Sequence, residues 1–280
     1  AAALTAATAI VGPIIPPSII MIIYALQDEA VSVGALFVAG FVPGFLIAAG
    51  MAAVNWHVSN KRNYRGDDDI TSWSDKLETT WRALPALMLP VLILGGMRAG
   101  WFTPTEASVV AVAYALVCGK FVYRTLRWQA LPDILSRSAL LTASVLIIIG
   151  MSNAFAWVLT IDGLPLQLAE WMAAQNFNAV TFLIIVNVFL LIFGIFIEPL
   201  PGVMVLVPIL APVAAKLGID PVHFAMVVIY NLTLGMITPP VGGLLFVTSN
   251  VSKVSLSALT RELKPFLWVH GLILMLLTFI

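Results

Sequence analysis

The chain has 280 residues, of which 61% are hydrophobic and 10% charged, and its formal net charge is zero. Soluble domains carry about 25% charged residues, so this composition predicts a membrane protein, and the lack of a basic excess argues against nucleic-acid binding. A single cysteine, Cys118, excludes an internal disulfide bond. Because the chain starts at Ala1 without a signal peptide and stops in an apolar run, we expect it to be part of a longer protein.

The first predicted membrane span, residues 1–26, is interrupted by a G-x-I-x-P-P motif at residues 12–17. Proline lacks a backbone N–H and clashes with the preceding helical turn, so two consecutive prolines predict a break in the helix. Inside a membrane, such a break is tolerated only where it is buried in protein or lines an aqueous cavity. This break is therefore a candidate binding site.

Four further spans follow without a proline pair, at residues 33–57, 84–97, 105–121 and 138–160. Polar segments at 58–83 and 122–137 connect them; the first contains a run of three aspartates and ends in a predicted amphipathic helix at 72–82. Thr103 and Glu106 form a predicted capping box with a proline at the first helical position. Capping is the commoner role for such a glutamate, and an ion site is the alternative. An interfacial helix is predicted at 162–175.

Residues 178–217 fit either a complete span and a loop or a re-entrant hairpin with its tip at 194–202. Lysine and arginine decide between the two, because 12 of the 14 lie in three segments, at 58–83, 120–137 and 250–264. The positive-inside rule places these segments in the cytoplasm, and only a hairpin keeps the last one there. Glu198 at the tip is then a charged residue deep in the bilayer, which is either a protonated structural group or a ligand for a cation.

Asp220 and Pro221 predict the start of the next helix, which is broken by a second G-x-I-x-P-P motif at residues 235–240. Thr8 and Asn231 stand four positions before the glycine of each motif. Paired interrupted spans in corresponding halves of a chain indicate the binding site of a transporter built from repeats. Two unrelated proline kinks are the alternative. A polar segment at 250–264 and a last span from Pro265 complete the chain.

Two broken helices that meet offer two kinds of ligand group. The helix segments that end at the breaks leave carbonyl oxygens for a hard cation such as Na⁺. The segments that start there present N–H groups, which favour a carboxylate. This chemistry predicts a carboxylate carried together with sodium. Asn187, Asn153 and Ser152, which also lie in apolar spans, are attributed to hydrogen bonds between helices.

The rival hypotheses are a membrane-embedded enzyme and an ion channel. An enzyme needs paired acids, a Ser/His pair or a metal cluster at one depth of the membrane. The three histidines are expected near the membrane interfaces of separate spans, at His57, His223 and His270. A channel could also use broken helices, and saturable uptake would distinguish a transporter from it.

Four motifs, at residues 12–18, 102–107, 218–224 and 235–242, resemble the large membrane subunit of tripartite ATP-independent periplasmic (TRAP) transporters. The resemblance covers the whole chain and implies an all-α polytopic membrane protein with an inverted repeat, discontinuous helices and two re-entrant hairpins. The family's first hairpin would precede Ala1. It further implies sodium-driven, elevator-type import of an organic acid, such as sialic acid or a C4-dicarboxylate, across the bacterial inner membrane. The implied partners are a periplasmic binding protein, a small membrane subunit and the lipid bilayer.

The same resemblance assigns domains and residues. Residues 1–32 and 178–249 would form the transport domain, 33–137 the scaffold and a cytoplasmic arm, 138–177 a span and an outer arm helix, and 250–280 a cytoplasmic segment and the last span. The sodium ligands would be Gly12, Ile15, Pro16, Glu198, Gly202, Gly235 and Thr238. The substrate would face Ser18, Pro240, Val241 and Gly242.

Overall fold

A computed structural model describes residues 1–64, 72–164, 166–167, 170–171, 175 and 177–280, and its regular elements over these residues are helical. The helices are α1 (Ala2–Ala9), α2 (Val11–Ile14), α3 (Ile19–Gln27), α4 (Val33–Lys61), α5 (Trp73–Arg98), α6 (Pro104–Val117), α7 (Leu131–Ile161), α8 (Ala179–Phe196), α9 (Pro199–Lys216), α10 (Pro221–Gly235), α11 (Gly243–Ser252) and α12 (Leu256–Phe279). Within the described residues, seven helices are long and apolar enough to cross a membrane, and the bent pair from Ala2 to Gln27 could form an eighth span. The predicted all-α polytopic fold is confirmed.

The first of two compact units comprises residues 1–58 and 148–280, and α10 lies at its centre. All residues of α10 from Phe224 to Gly235 are buried. A helix that is apolar on every side becomes a core helix, and α10 packs against α2, α3, α8, α9 and α12. The second broken helix is therefore the element around which this unit is assembled.

The two halves of the first broken helix pack against different helices of this unit. α3 lies against α9, whereas α1 lies against α11 and α12. The buried face of α4 also reaches the first break, because the Ile14 carbonyl lies over Gly40 and the Ile15 side chain lies over Gly44. Both broken helices thus share one packed unit with α4 and α12.

The second unit comprises residues 59–147 and is organised around the pairing of α5 with α6. The Tyr114 hydroxyl donates a hydrogen bond to the Pro85 carbonyl at 2.8 Å. The Tyr123 hydroxyl accepts one from the Ala86 amide at 3.2 Å and donates one to the Arg82 carbonyl at 3.0 Å. A short π-helix, Cys118–Val122, places Tyr123 for these contacts. The two tyrosines fasten α6 to the proline-containing part of α5.

The capping hydrogen bonds that the sequence predicts at the starts of two helices are present in the structure. The Thr103 amide and hydroxyl both donate to the Glu106 carboxylate at 2.8 Å, and the Glu106 amide donates back to the Thr103 hydroxyl. The Asp220 carboxylate accepts a hydrogen bond from the His223 amide at 2.9 Å. The predicted capping box and the predicted aspartate cap are both confirmed.

Some helices are longer than the sequence suggests. The predicted amphipathic helix at 72–82 and the predicted span at 84–97 are one helix, α5, which contains Pro85 and Pro90. Helix α12 already begins at Leu256, so most of the predicted polar segment at 250–264 is helical and Pro265 lies inside the helix. A single proline removes one hydrogen bond without necessarily ending a helix, since tyrosine contacts and packing compensate. Residues 65–71, with the aspartate run, and much of the interfacial helix predicted at 162–175 lie outside the described residues.

Candidate binding site at the two broken helices

The first break lies between α2 and α3. Ile15 has extended backbone angles, and α1–α2 meets α3 at a bend of 45°. Ser18 is buried and caps α3: its hydroxyl accepts a hydrogen bond from the Met21 amide at 3.4 Å and donates one to the Pro13 carbonyl. The predicted break is confirmed, and the hydroxyl of Ser18 connects its two sides.

The second break, residues 236–242, lies between α10 and α11. Three tight turns end α10, because the amides of Met236, Ile237 and Thr238 each donate to the carbonyl three residues earlier, at 3.0–3.2 Å. The Thr238 hydroxyl donates to the Leu234 carbonyl at 2.8 Å. Both proline pairs, at 16–17 and 239–240, have cis peptide bonds. This break is confirmed as well, with a cluster of oxygen atoms at the end of α10.

The tip of the α8–α9 hairpin lies directly on the second break. α8 ends at Phe196 and α9 begins at Pro199, so the turn consists of Ile197 and Glu198. The Gly242 amide, at a left-handed φ of 53°, donates to the Ile195 carbonyl at 3.2 Å. The hairpin and its tip are as predicted; that it enters and leaves the membrane on the same side stays a prediction.

A cleft of about 430 Å³ brings the first break, the hairpin tip and the second break together. Its lining residues come from all three segments: Gly12, Pro13, Pro17, Ser18, Ile19, Ile20, Glu198, Pro199, Leu200 and Met236. Three of the predicted site residues, Gly12, Ser18 and Glu198, therefore share one cavity. The Glu198 side chain is exposed and makes no hydrogen bond or ion pair with the residues that the structure describes.

The other predicted sodium ligands do not line this cleft. Pro16 and Gly202 are buried, and a Cβ on Gly202 would come within 3.1 Å of Leu232. Gly235 lies against the backbone of Gly194, and Ile15 directs its side chain to Gly44. Ile15, Pro16, Gly202 and Gly235 can offer a cation only backbone oxygens, whereas Thr238 also has a side-chain hydroxyl. The Gly235 carbonyl already accepts a hydrogen bond from the Thr238 amide but retains a second lone pair.

The backbone amides after Pro240, which were predicted to face the substrate, fall into two groups in the structure. The amide of Gly242 is used by the hairpin carbonyl of Ile195, and that of Leu244 by the Met236 carbonyl. The amides of Val241 and Gly243 have no partner among the described residues. The left-handed conformation of Gly242 explains this division, because it turns the chain back onto the hairpin tip. Of the predicted N–H donors, those of Val241 and Gly243 are thus available to a ligand.

A buried amide network supports the second break from within the core. Asn231 donates through Nδ2 to both the carbonyl and the side-chain oxygen of Asn187, at 2.9 and 2.7 Å. Asn187 donates in turn to the Thr278 hydroxyl at 3.0 Å. The network joins α8, α10 and α12, so the helix-to-helix role predicted for Asn187 is confirmed.

The sequence did not show that His270 is buried in the protein core. The residue is completely buried, with its Nδ1 2.8 Å from the Tyr230 hydroxyl and its Nε2 3.2 Å from the Ala7 carbonyl. The only indication of this contact in the sequence was that a tyrosine and a histidine lie in separate apolar stretches. The sequence contained no information on which helices pack together.

Comparison with known proteins relates the entire chain to one family. The model of the tripartite ATP-independent periplasmic transporter, DctM component, matches residues 1–280. The chain is 40% identical over 269 residues to the C4-dicarboxylate TRAP transporter large permease protein DctM of Pseudomonas aeruginosa. It is 39% identical over 267 residues to the sialic acid TRAP transporter large permease protein SiaM of Vibrio cholerae. It is also 36% identical over 279 residues to the isethionate TRAP transporter permease protein DctMQ of Oleidesulfovibrio alaskensis.

These matches cover nearly all of this chain but only part of each relative. The match covers 96% of this chain and 62% of the Pseudomonas aeruginosa protein. For the Vibrio cholerae protein the shares are 95% and 62%, and for the Oleidesulfovibrio alaskensis protein they are 100% and 44%. The chain therefore spans about half to two thirds of the length of these proteins. All three relatives are transporter permeases, which is evidence for the transport hypothesis over the membrane-embedded enzyme.

Proposed function

Because the chain belongs to the family of the DctM component of tripartite ATP-independent periplasmic transporters, we propose that it is the part of a permease that binds and moves an organic acid. The substrate is a small carboxylate, of the class to which sialic acid and the C4-dicarboxylates belong. The protein works in the bacterial inner membrane and performs secondary transport.

One observation carries this proposal: the cleft where the first break, the hairpin tip and the second break meet. A volume of about 430 Å³ accommodates a small organic acid. The start of α3 borders the cleft, whereas the amides of Val241 and Gly243, which have no partner among the described residues, lie at the start of α11 and do not line it. N–H groups at the start of a helix stabilise a carboxylate without a basic side chain.

Sodium is the proposed coupling ion, and oxygen atoms at the two breaks are its ligands. The Thr238 hydroxyl and the Gly235 carbonyl provide such atoms at the second break, and Glu198 provides a negative charge at the cleft. Glu198 lines the cleft with an exposed side chain, so its carboxylate is accessible to a cation there. At the first break, Gly12, Ile15 and Pro16 would contribute carbonyls.

Transport follows an elevator mechanism in this proposal: the broken helices and the hairpin move together and carry the cleft from one side of the membrane to the other. A periplasmic binding protein delivers the substrate, and a small membrane subunit, separate or fused, supports the stationary part. Similarity to permeases of three-part transporters supports these partners.

Uptake by the complete permease, reconstituted in proteoliposomes with its binding protein, tests the proposal. A panel of labelled carboxylates is offered with an inward sodium gradient, with an equal potassium gradient, and without the binding protein. We expect saturable uptake of one class of carboxylate that requires sodium. An ionic current that does not saturate would favour the channel, and equal uptake in potassium would disprove sodium coupling.

A further inference from the structure

His270 uses its two ring nitrogens to contact two different helices. Its Nε2 lies 3.2 Å from the Ala7 carbonyl on α1, and its Nδ1 lies 2.8 Å from the Tyr230 hydroxyl on α10. All three residues are completely buried. A carbonyl oxygen can only accept, so Nε2 carries the hydrogen, and the Tyr230 hydroxyl shares its hydrogen between Nδ1 of the neutral ring and the His270 backbone carbonyl, 3.1 Å away. One side chain of α12 thus joins the two broken helices.

The two contacts occur at equivalent positions of the repeated motif. When the two G-x-I-x-P-P motifs are aligned at Gly12 and Gly235, Ala7 and Tyr230 each stand five residues before the glycine. The imidazole ring therefore connects the two helices at the same distance from their breaks.

We propose that His270 is a positioning residue that fixes the spacing of the two breaks, so that cation binding at one break is coupled to the other. The coupling part of this inference rests on the proposed sodium-driven function. Oxygen ligands bind a cation more tightly when they are held in place beforehand. In a dry interior the two hydrogen bonds of the ring are not exchanged for bonds to water, so they constrain both helices effectively.

Three conservative substitutions separate the two contacts. In His270→Gln, the amide can reach the Ala7 carbonyl, but the ring acceptor for Tyr230 is lost and only the backbone carbonyl of residue 270 still accepts from it. In His270→Asn, the shorter side chain can keep Tyr230 but not Ala7. Tyr230→Phe removes only the hydroxyl. Each should raise the sodium concentration for half-maximal uptake about two- to tenfold, the effect of one hydrogen bond, and lower the Hill coefficient for sodium. The double variant His270→Gln/Tyr230→Phe should lose less than the sum of the two single losses, because both single changes remove the same contact between ring and hydroxyl.

His223 provides a matched control. Its Nε2 lies 2.6 Å from the Leu277 carbonyl, so it also joins α10 to α12, but this contact does not involve α1. His223→Gln should therefore leave the Hill coefficient for sodium unchanged, even if it lowers the melting temperature of the permease. An equal loss of the Hill coefficient in the two histidine variants would mean that both residues act through stability, and would overturn the inference.

A distance measurement tests the spacing without any transport assay. Nitroxide labels are attached at Thr5→Cys on α1 and Val222→Cys on α10, in a Cys118→Ala background of the complete permease in nanodiscs. Pulsed electron spin resonance should give one narrow distance distribution for the parent and a broader one for His270→Asn and His270→Gln, but not for His223→Gln. A narrow, unchanged distribution in both His270 variants would disprove the positioning role. If the parent showed no sodium dependence, the proposed function would fail while this measurement still decided the spacing.

Discussion

The backbone of Gly194 in the hairpin lies directly against the backbone of Gly235 at the end of the second broken helix. A Cβ on Gly235 would overlap the carbonyl group of Gly194, and a Cβ on Gly194 would lie 3.0 Å from the Leu232 carbonyl. Backbone atoms cannot move aside as a flexible side chain does. The hairpin tip and the end of α10 are therefore placed relative to each other by a contact that tolerates glycine only.

Gly235→Ala should accordingly destabilise the protein and reduce uptake. Overpacking of a tight interior contact costs about 1–3 kcal/mol, because neighbouring backbone must shift. The measurement is the melting temperature of the purified permease together with its initial uptake rate. Gly243→Ala is the control, since a Cβ there meets no atom within 4 Å. Equal melting temperatures for the two variants would mean that the hairpin tip is not held by this contact.

Local chemistry explains which features could be predicted from the sequence. Proline pairs break a helix wherever they occur, so both breaks were predictable, as was the Asp220 cap. Features that depend on which helices meet were not predictable. The burial of His270, the contact between Gly194 and Gly235 and the use of the Gly242 amide by the hairpin all follow from tertiary packing. A single proline was a poorer guide, because the last span was predicted to begin at Pro265, which lies inside α12.

Asn231→Leu should destabilise the first unit by removing the donor that serves two oxygen atoms of Asn187. A buried polar group left without its partner costs about 1–3 kcal/mol. The double variant Asn187→Leu/Asn231→Leu should lose less than the sum of the single losses, because neither residue then leaves an unpaired partner. Thermal unfolding of the purified permease measures all three variants.

Asn153→Leu is the matched control for the amide network, since Asn153 is exposed on α7. The melting temperature of the Asn153→Leu variant should stay close to that of the parent. Additive losses in the double variant would show that the two buried asparagines stabilise the protein independently, in contradiction to a shared network.

The prediction that the hairpin enters and leaves the membrane on the same side can be tested by labelling at its two ends. Gln175 precedes α8 and Lys216 ends α9, and both are exposed. Cysteines placed there should both react with a membrane-impermeant maleimide from the periplasmic side, whereas a cysteine at Ser255 should react only from the cytoplasmic side. The native Cys118 is buried and should contribute little background. Cytoplasmic labelling of Lys216→Cys would mean that α8 crosses the membrane completely.

The sodium site at the second break predicts different effects for two substitutions. Thr238→Val keeps the shape of the side chain and removes the hydroxyl oxygen that lies 2.8 Å from the Leu234 carbonyl. We expect the sodium concentration for half-maximal uptake to rise about three- to tenfold, in line with the loss of one polar ligand, before the maximal rate falls. Thr238→Ser retains the hydroxyl and should resemble the parent.

Glu198→Gln should have the larger effect on sodium dependence, because it removes a negative charge from the cleft rather than one neutral ligand. Charged partners contribute about twice as much as neutral ones to such contacts. Uptake by the reconstituted complex at graded sodium, with substrate held constant, compares Glu198→Gln with Thr238→Val and Thr238→Ser. A Glu198→Gln variant with the sodium dependence of the parent would identify the carboxyl as a structural group. Unchanged sodium dependence in both Glu198→Gln and Thr238→Val would place the cation away from the second break, and the proline pair there would then serve only to bend the helix.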